Sequence, residues 1–193
     1  MVTADDIAKK EGVNLDVLLE FSPEEHPVAL QLGGADSEML AQVTSTVVRE
    51  AAYDEINLNC GCPSHAVTCN ERKFGARCMH DPELVRRCVT AMSRASNGVP
   101  ISVKCRLGTN EVNGYENLAA FVSAVSNNSG VQHFLIHSRL KSQVVLHSSL
   151  SPSTPINTHV PVDRRLARTG TFDRPPFELK HGPQMSPSPR SKS

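Results

Sequence analysis

The chain has 193 residues, of which 39% are hydrophobic and 21% charged, a composition typical of one soluble domain with its own core. It has no run of about eighteen apolar residues, so the sequence predicts no transmembrane helix. The N-terminus lacks the apolar segment of a secretory signal and the arginines of a transit peptide. We therefore expect a cytoplasmic protein with reduced cysteines, an organelle being left open. Residues 1–141 carry a net charge of −4, which argues against a basic nucleic-acid-binding surface.

Four apolar segments that end in glycine or polar residues predict strands, at residues 26–34, 54–59, 100–108 and 131–139. Apolar residues at helical spacing follow each of the first three strands. These helices are predicted to begin at Asp36 or Ser37, at the Asp81-Pro82 pair, and near Tyr115. Alternating strands and helices predict an α/β fold with parallel strands.

Polar residues occur at or near the C-terminal end of every predicted strand. They are Gln31, Asn59, Cys62, Lys104, Arg106, His137 and Arg139. Ligand sites of parallel α/β sheets and barrels lie at this edge, so we expect these side chains to form one site. The chain has neither a G-x-G-x-x-G nor a Walker A motif. A barrel is therefore favoured over a doubly wound sheet.

Cys62 follows a strand, inside a loop that contains glycine and proline. A thiol at this position fits either catalysis or structural burial. Cys88 lies on a helix stripe and Cys105 on an apolar strand face, so both are expected in the core. The cysteines around His65 lack the two paired spacings of a tetrahedral zinc site, so we predict no metal.

Lys104 and Arg106 alternate on one face of the third predicted strand. Both faces of a parallel strand are normally covered, so two cations there require an anion such as a phosphate, a carboxylate or an electron-rich ring. His137 and Arg139 repeat the arrangement one strand later. From the residues alone we expect an anionic ligand at this edge.

The last 52 residues differ in composition from the rest, with 9 Ser and 8 Pro and no periodic apolar pattern. We therefore divide the chain into a partial barrel domain, residues 1–141, and a Ser/Pro-rich tail, residues 142–193. The tail is predicted to be disordered.

The segments FSPEEHPVALQLGG, INLNCGCPSHAV, FGARCMHDPELV, VPISVKCRLG and HFLIHSR together resemble the tRNA-dihydrouridine synthases, most closely the branch that modifies positions 20 and 20a of tRNA. The resemblance covers residues 1–141. It implies a TIM (β/α)8 barrel, present here as about four βα units. It also implies an enzyme that binds FMN, takes electrons from NADPH and reduces the C5–C6 bond of uridine, so that tRNA is the expected partner.

The resemblance further implies roles for individual residues in binding the flavin and in proton transfer. Gln31 matches a glutamine at the isoalloxazine edge, Lys104 a lysine near flavin N1 and O2, and His137 a flavin-contacting histidine. Cys62 matches the general acid that protonates uracil C5 after hydride from flavin N5 reaches C6. A thiol with a reference pKa of about 8.5 is mostly protonated at neutral pH and suits this task.

Three residues are expected on the substrate side by the same resemblance. Asn59 matches an asparagine that contacts the flipped uracil, and Arg139 matches an arginine on the tRNA side. We also assign Arg106 to substrate binding. The uridine must leave its stack to reach the flavin, as bases do in other base-modifying enzymes.

The chain departs from the family pattern at both ends. The first barrel strand with its Ala-Pro-Met segment is absent, as are the Asn-Gly-Gly and Gly-Arg-Ala segments that hold the FMN phosphate. We expect from this a truncated product that binds FMN weakly and has little synthase activity alone. Two alternatives remain open: a half-barrel that needs a partner chain to complete it, and a different FMN-dependent barrel oxidoreductase that reduces a small molecule.

Overall fold

The computed structural model describes residues 1–9, 14–68, 74–141 and 157–161. One sheet contains six strands in chain order. They are β1 (Val2–Thr3), β2 (Ala29–Gly33), β3 (Glu55–Cys60), β4 (Ile101–Thr109), β5 (His133–Lys141) and β6 (Asn157–Pro161). The strands from β1 to β5 are parallel to their neighbours, and β6 pairs antiparallel with β5.

Helices connect the parallel strands. They are α1 (Ala4–Ala8), α2 (Leu15–Leu19), α3 (Ser37–Glu50), α4 (His65–Thr68), α5 (Pro82–Ala95) and α6 (Tyr115–Ser126), with 3₁₀ helices at Pro23–Glu25 and Gly75–His80. Two predicted starts are confirmed by side-chain caps. An Asp36 carboxylate oxygen accepts the Met39 N–H at 2.8 Å, and an Asp81 carboxylate oxygen accepts the Leu84 N–H at 2.9 Å.

The strand order distinguishes the two architectures that the sequence left in competition. A doubly wound sheet reverses its strand order and places helices on both faces. Here β1 to β5 follow one another in order, and α5 packs against both α3 and α6, so the main helices cover the same face. This is the arrangement of a TIM barrel, and it confirms the predicted α/β fold with about four βα units.

The core lies between that helical layer and one face of the sheet. Leu32, Leu58 and Val103 are fully buried on β2, β3 and β4, and they pack in one cluster with helix residues such as Leu40 and Val89. Because strand side chains alternate, the residues between these apolar positions face the other side of the sheet. That second face carries the polar residues of the predicted site.

The structure adds elements that the sequence patterns did not predict. β1, α1 and α2 precede the first predicted strand, and α4 and the 3₁₀ helix Gly75–His80 fall in the segment predicted as loop. β6 lies inside the predicted tail, whose other residues, like Cys69, are outside the described part of the chain. The division at residue 141 stays a prediction. Among the described helices, none is long and apolar enough to cross a membrane.

Candidate functional site

Four parallel strands bring predicted site residues together at one edge of the polar face. The register makes Asn59 the Cα partner of Lys104, and Arg106 the Cα partner of His137. Neighbouring strands lie about 4.8 Å apart, so these four residues form a compact patch. Gln31 joins them from β2, because its side-chain oxygen accepts a hydrogen bond from the Asn59 amide at 2.8 Å.

The loop that carries Cys62, residues 61–64, is tied to the sheet on both sides. The Cys62 N–H donates to the Asn59 side-chain oxygen at 2.9 Å, and the Cys62 carbonyl accepts the Ala76 N–H at 2.9 Å. The Gly61 carbonyl accepts the Arg106 Nε–H at 2.5 Å. The backbone on either side of the thiol is therefore held by β3, by β4 and by the 3₁₀ helix Gly75–His80. We call residues 61–64 the Cys62 loop.

Cys62 differs from the other described cysteines in exposure. Cys60, Cys78, Cys88 and Cys105 are buried, whereas Cys62 is partly exposed. A hydrogen bond with Cys78 and complete burial raise the pKa of Cys60 well above the usual thiol range. Burial raises the pKa of Cys88 and of Cys105 to about 12. The core positions predicted for Cys88 and Cys105 are confirmed, and among the described thiols Cys62 is the one within reach of a ligand.

Asn59 lies beneath the Cys62 loop with most of its amide already engaged. It is 8% exposed, and its side-chain oxygen accepts both the Gly61 N–H, at 3.0 Å, and the Cys62 N–H. Its amide nitrogen donates to Gln31. The Gln31 amide nitrogen donates to the Asn57 side-chain oxygen at 2.8 Å. The Asn59 and Gln31 side chains therefore each keep one N–H that has no protein partner in the described part of the chain. Their hydrogen-bonding capacity toward a ligand is therefore one donor each.

Lys104 carries a positive charge that no described residue neutralises. It is half-buried on β4, between Asn59 on β3 and Leu135 on β5. Neither a hydrogen bond nor an ion pair engages its ammonium group within the residues that the structure describes. A partly desolvated cation without a counter-ion favours binding of an anion or of an electron-rich edge.

The three remaining predicted residues, Arg106, His137 and Arg139, lie on β4 and β5 and differ in their contacts. Arg106 points its Nε–H at the Gly61 carbonyl, so part of its guanidinium supports the Cys62 loop. His137 is half-buried on β5 beside Arg106. Arg139 lies two positions further along β5, and its side chain is outside the described part of the structure.

Glu55, Ser102 and His133, for which the sequence predicted no role, are joined on the same polar face toward the N-terminal ends of β3, β4 and β5. The Ser102 hydroxyl donates to Glu55 at 2.5 Å, and His133 Nδ1 lies 2.6 Å from the second Glu55 oxygen. A signal was present in the sequence. Positions 55, 57 and 59 of β3 are all polar, whereas branched apolar residues usually fill the interior face of barrel strands.

In the parts of the chain with described coordinates, no group of three or more His, Cys, Asp and Glu side chains is arranged to hold a metal ion. The site is thus built from amides, cations and a thiol. These groups can orient a polar ring, hold negative charge and supply a proton.

Comparison with known proteins connects this site to a family. The family model described as dihydrouridine synthase (Dus) matches residues 1–150. The chain is similar to the tRNA-dihydrouridine(20/20a) synthases of Synechocystis sp., with 48% identity over 122 residues, and of Vibrio parahaemolyticus, with 47% identity over 121 residues. The protein of that name from Xanthomonas axonopodis pv. citri is 47% identical over 122 residues.

Each of these alignments covers 63% of this chain and 35% or 36% of the relative. The chain therefore spans about a third of the length of the curated relatives it matches. The family match extends over well more than half of the chain and includes every residue of the site described above. The resemblance seen in the sequence is confirmed, and the chain belongs to the dihydrouridine synthase family.

Proposed function

We propose that this chain forms the uracil-facing part of a tRNA-dihydrouridine synthase site. The observation that carries the proposal is the position of Cys62, the partly exposed thiol, on a loop anchored to Asn59. Asn59 is in turn the strand neighbour of Lys104, a cation without a counter-ion among the described residues. In this site Cys62 is the general acid, and the substrate is a uridine of tRNA flipped out of its stack.

The chemistry adds a hydride to C6 and a proton to C5 of the uracil ring, which converts the C5–C6 double bond to a single bond. Bound FMN, reduced by NADPH, supplies the hydride when it occupies the site. Cys62 supplies the proton from Sγ. Its backbone is held at both the N–H and the carbonyl, which restricts the thiol to a narrow range of positions above the sheet edge.

The residues present fit the polar edge of a flavin. Lys104 is a half-buried cation with no counter-ion among the described residues, which suits the N1 and O2 edge where a reduced flavin carries negative charge. Gln31 lies one strand beyond Asn59 and keeps one amide N–H for a ring acceptor. His137 borders the same patch from β5 and is the third residue that we assign to the flavin.

Asn59, Arg106 and Arg139 are assigned to the substrate. Asn59 keeps one N–H that can reach a uracil carbonyl, although its main contacts are with the Cys62 loop. Arg106 holds the Gly61 carbonyl through Nε, and the planar fork of its guanidinium has a geometry that suits a carbonyl or a phosphate. Arg139, two positions beyond His137 on β5, is assigned to tRNA by the family resemblance alone.

The first experiment measures the visible absorption of the purified chain during titration with FMN, followed by dihydrouridine formation on a tRNA transcript with NADPH. Lys104→Met is expected to weaken FMN binding at least about tenfold, because a charged contact is worth roughly 1.5–3 kcal/mol. Lys9→Met removes the same charge from an exposed position and serves as the control.

A second arm is needed because the chain spans about a third of its relatives. Residues 1–141 replace the aligned segment of the Vibrio parahaemolyticus protein, and dihydrouridine is quantified by nucleoside mass spectrometry. Cys62→Ala is expected to lower turnover by about 100-fold or more, whereas Ser64→Ala, an exposed change in the same loop, leaves it unaltered. Turnover that survives loss of the Cys62 thiol contradicts the proposal. Reduction of a small molecule without tRNA would favour a different barrel oxidoreductase.

A further inference from the structure

A continuous series of side-chain hydrogen bonds runs beneath the candidate site from the Cys62 loop to the opposite end of β3. We call it the polar chain. Its members, in order from the loop, are Asn59, Gln31, Asn57, Ser102 and Glu55. The successive donor–acceptor distances after Asn59 are 2.8, 2.8, 2.8 and 2.5 Å. Asn57 and Ser102, in the middle, are buried.

Every hydrogen bond of the polar chain points the same way. The Gly61 and Cys62 N–H groups donate to Asn59, whose amide nitrogen donates to Gln31. Gln31 in turn donates to Asn57, and Asn57 donates to the Ser102 oxygen. Asn59, Gln31, Asn57 and Ser102 each accept from the side of the Cys62 loop and donate toward Glu55, which only accepts, so the direction is kept without interruption across β2, β3 and β4.

The two ends impose this direction. At the upper end stand backbone N–H groups, which can only donate. At the lower end stands the carboxylate of Glu55, which can only accept when it is ionised. The Ser102 hydroxyl must therefore give its hydrogen to Glu55 and accept from Asn57. This fixes the orientation of the Asn57 amide, then that of Gln31, and then that of Asn59. The Asn59 side-chain oxygen is thereby turned toward the Cys62 N–H.

Glu55 is itself held in place from the far side. His133 on β5 lies with Nδ1 2.6 Å from the second Glu55 oxygen, and the Glu55 side chain is 20% exposed. Glu55 lies four positions before Asn59 on β3, about 13 Å along the strand. The carboxylate is thus remote from the reacting atoms of the proposed site and acts only through the residues between.

We propose that Glu55 is a positioning residue for Cys62, acting through the polar chain to fix the orientation of the Asn59 amide and with it the backbone of the Cys62 loop. The inference rests on the proposed function for its meaning in catalysis, since it concerns the placement of the proton donor. Its structural content, the dependence of the loop on a distant carboxylate, is testable without cofactor or tRNA.

The test measures backbone amide hydrogen exchange at Gly61 and Cys62 by NMR in the full chain. Glu55→Ala and Ser102→Ala each interrupt the polar chain below Asn57, and each is expected to speed exchange at both amides by about five- to tenfold. Because both changes break one series of hydrogen bonds, the double variant is expected to match either single variant. Glu55→Gln can still offer an oxygen to Ser102, and exchange within about twofold of the original chain is expected.

Thr44→Val is the matched control. Thr44 is fully buried on α3, and its hydroxyl has no hydrogen-bond partner among the described residues, so the change removes a buried hydroxyl outside the polar chain. Exchange at Gly61 and Cys62 that is unchanged between Ser102→Ala and the original chain overturns the inference, as does an equal acceleration in Thr44→Val. If Glu55→Ala does not fold, the exchange rates of Gly61 and Cys62 in Ser102→Ala and in Glu55→Gln are sufficient to test the inference.

The effect on catalysis is measured in the exchange protein, in which residues 1–141 of this chain replace the aligned segment of the Vibrio parahaemolyticus protein. Glu55→Ala is expected to lower kcat about tenfold while KM for tRNA stays within about twofold, and Glu55→Gln is expected to restore kcat. A KM effect without a kcat effect contradicts positioning of the proton donor. Absence of dihydrouridine in the parent exchange protein removes the proposed function, and the exchange rates at Gly61 and Cys62 still decide the role of Glu55 in the loop.

Discussion

Gly75 lies so close to the Cys62 loop that a β-carbon on Gly75 would stand 2.6 Å from the Cys62 carbonyl oxygen. It also has a φ of 71°, in the left-handed region that favours glycine. The next residue, Ala76, donates its N–H to the same carbonyl at 2.9 Å. The glycine of the FGA segment is thus required by the approach of the 3₁₀ helix to the thiol-bearing loop.

Gly75→Ala is expected to lower the free energy of unfolding by at least about 2 kcal/mol, because left-handed strain of about 1–2 kcal/mol adds to a backbone clash. Gly98→Ala is the control, since Gly98 has a φ of 92° and no described atom lies within 4 Å of where its β-carbon would stand. Gly98→Ala is expected to lower the free energy of unfolding only by the cost of the left-handed strain. Urea denaturation of both variants measures the difference, and equal losses would show that the contact with Cys62 is unimportant.

Thiol labelling tests the environment of Cys62. Alkylation requires the thiolate, and burial holds the pKa of Cys88 and Cys105 at about 12. A hydrogen bond with Cys60 lowers the pKa of Cys78, but the Cys78 side chain is buried away from the reagent. Iodoacetamide at pH 8 is therefore expected to modify Cys62 at least about tenfold faster than Cys60, Cys78, Cys88 or Cys105. Peptide mass spectrometry assigns the sites, with Cys62→Ala as the control. Faster labelling of a buried cysteine would mean that the core opens readily.

The strand and helix pattern could be predicted because it depends on neighbours in sequence. Asp36 and Asp81 cap the helices that their own segments predict, and alternation on β3 and β4 placed Asn59 and Lys104 on one face. The short elements β1, α1 and α2 contain two or five residues each, too few for a periodic signal.

The connections within the site could not be predicted from local pattern. Asn59 reaches Gln31, 28 positions earlier in the chain, and Ser102 reaches Glu55, 47 positions earlier. Arg106, expected to contact substrate, has its Nε–H on the Gly61 carbonyl, 45 positions away. Which amide faces which depends on strand register and on the packing of the loop, and neither is encoded in hydrophobic periodicity.

Asp54 gives a prediction for the dependence of stability on pH. The Val28 N–H and the His26 ring both contact its carboxylate at 2.7 Å, and these hydrogen bonds lower the pKa of Asp54 below its usual value. A lowered pKa in the folded state stabilises the fold above the unfolded-state pKa of about 3.9, and the contribution disappears as pH falls through the folded-state pKa.

Asp54→Asn is therefore expected to lower the urea midpoint at pH 6 relative to the original chain, and the difference should shrink steadily below about pH 4. Asp16→Asn, at an exposed carboxylate for which no described contact exists, should show no such trend. A difference between Asp54→Asn and the original chain that stays constant from pH 6 to pH 2.5 would contradict the role of the charged form.

Thr44 differs from Asp54, because removal of its buried hydroxyl is expected to stabilise the fold. Its side chain lies on the inner face of α3, fully buried, and Oγ1 has no hydrogen-bond partner in the described part of the chain. A buried hydroxyl without a partner destabilises a protein by about 1–3 kcal/mol relative to its hydration in the unfolded chain. Valine keeps the branched shape and removes that cost, and its helix propensity is close to that of threonine.

Thr44→Val is thus expected to raise the free energy of unfolding by about 1 kcal/mol, because the buried hydroxyl is gone and the packing is kept. Thr44→Ser, which keeps the hydroxyl and deletes a methyl group, should lower it. Urea denaturation of the two variants beside the original chain measures both effects. A urea midpoint for Thr44→Val below that of the original chain would mean that the hydroxyl has a partner in solution.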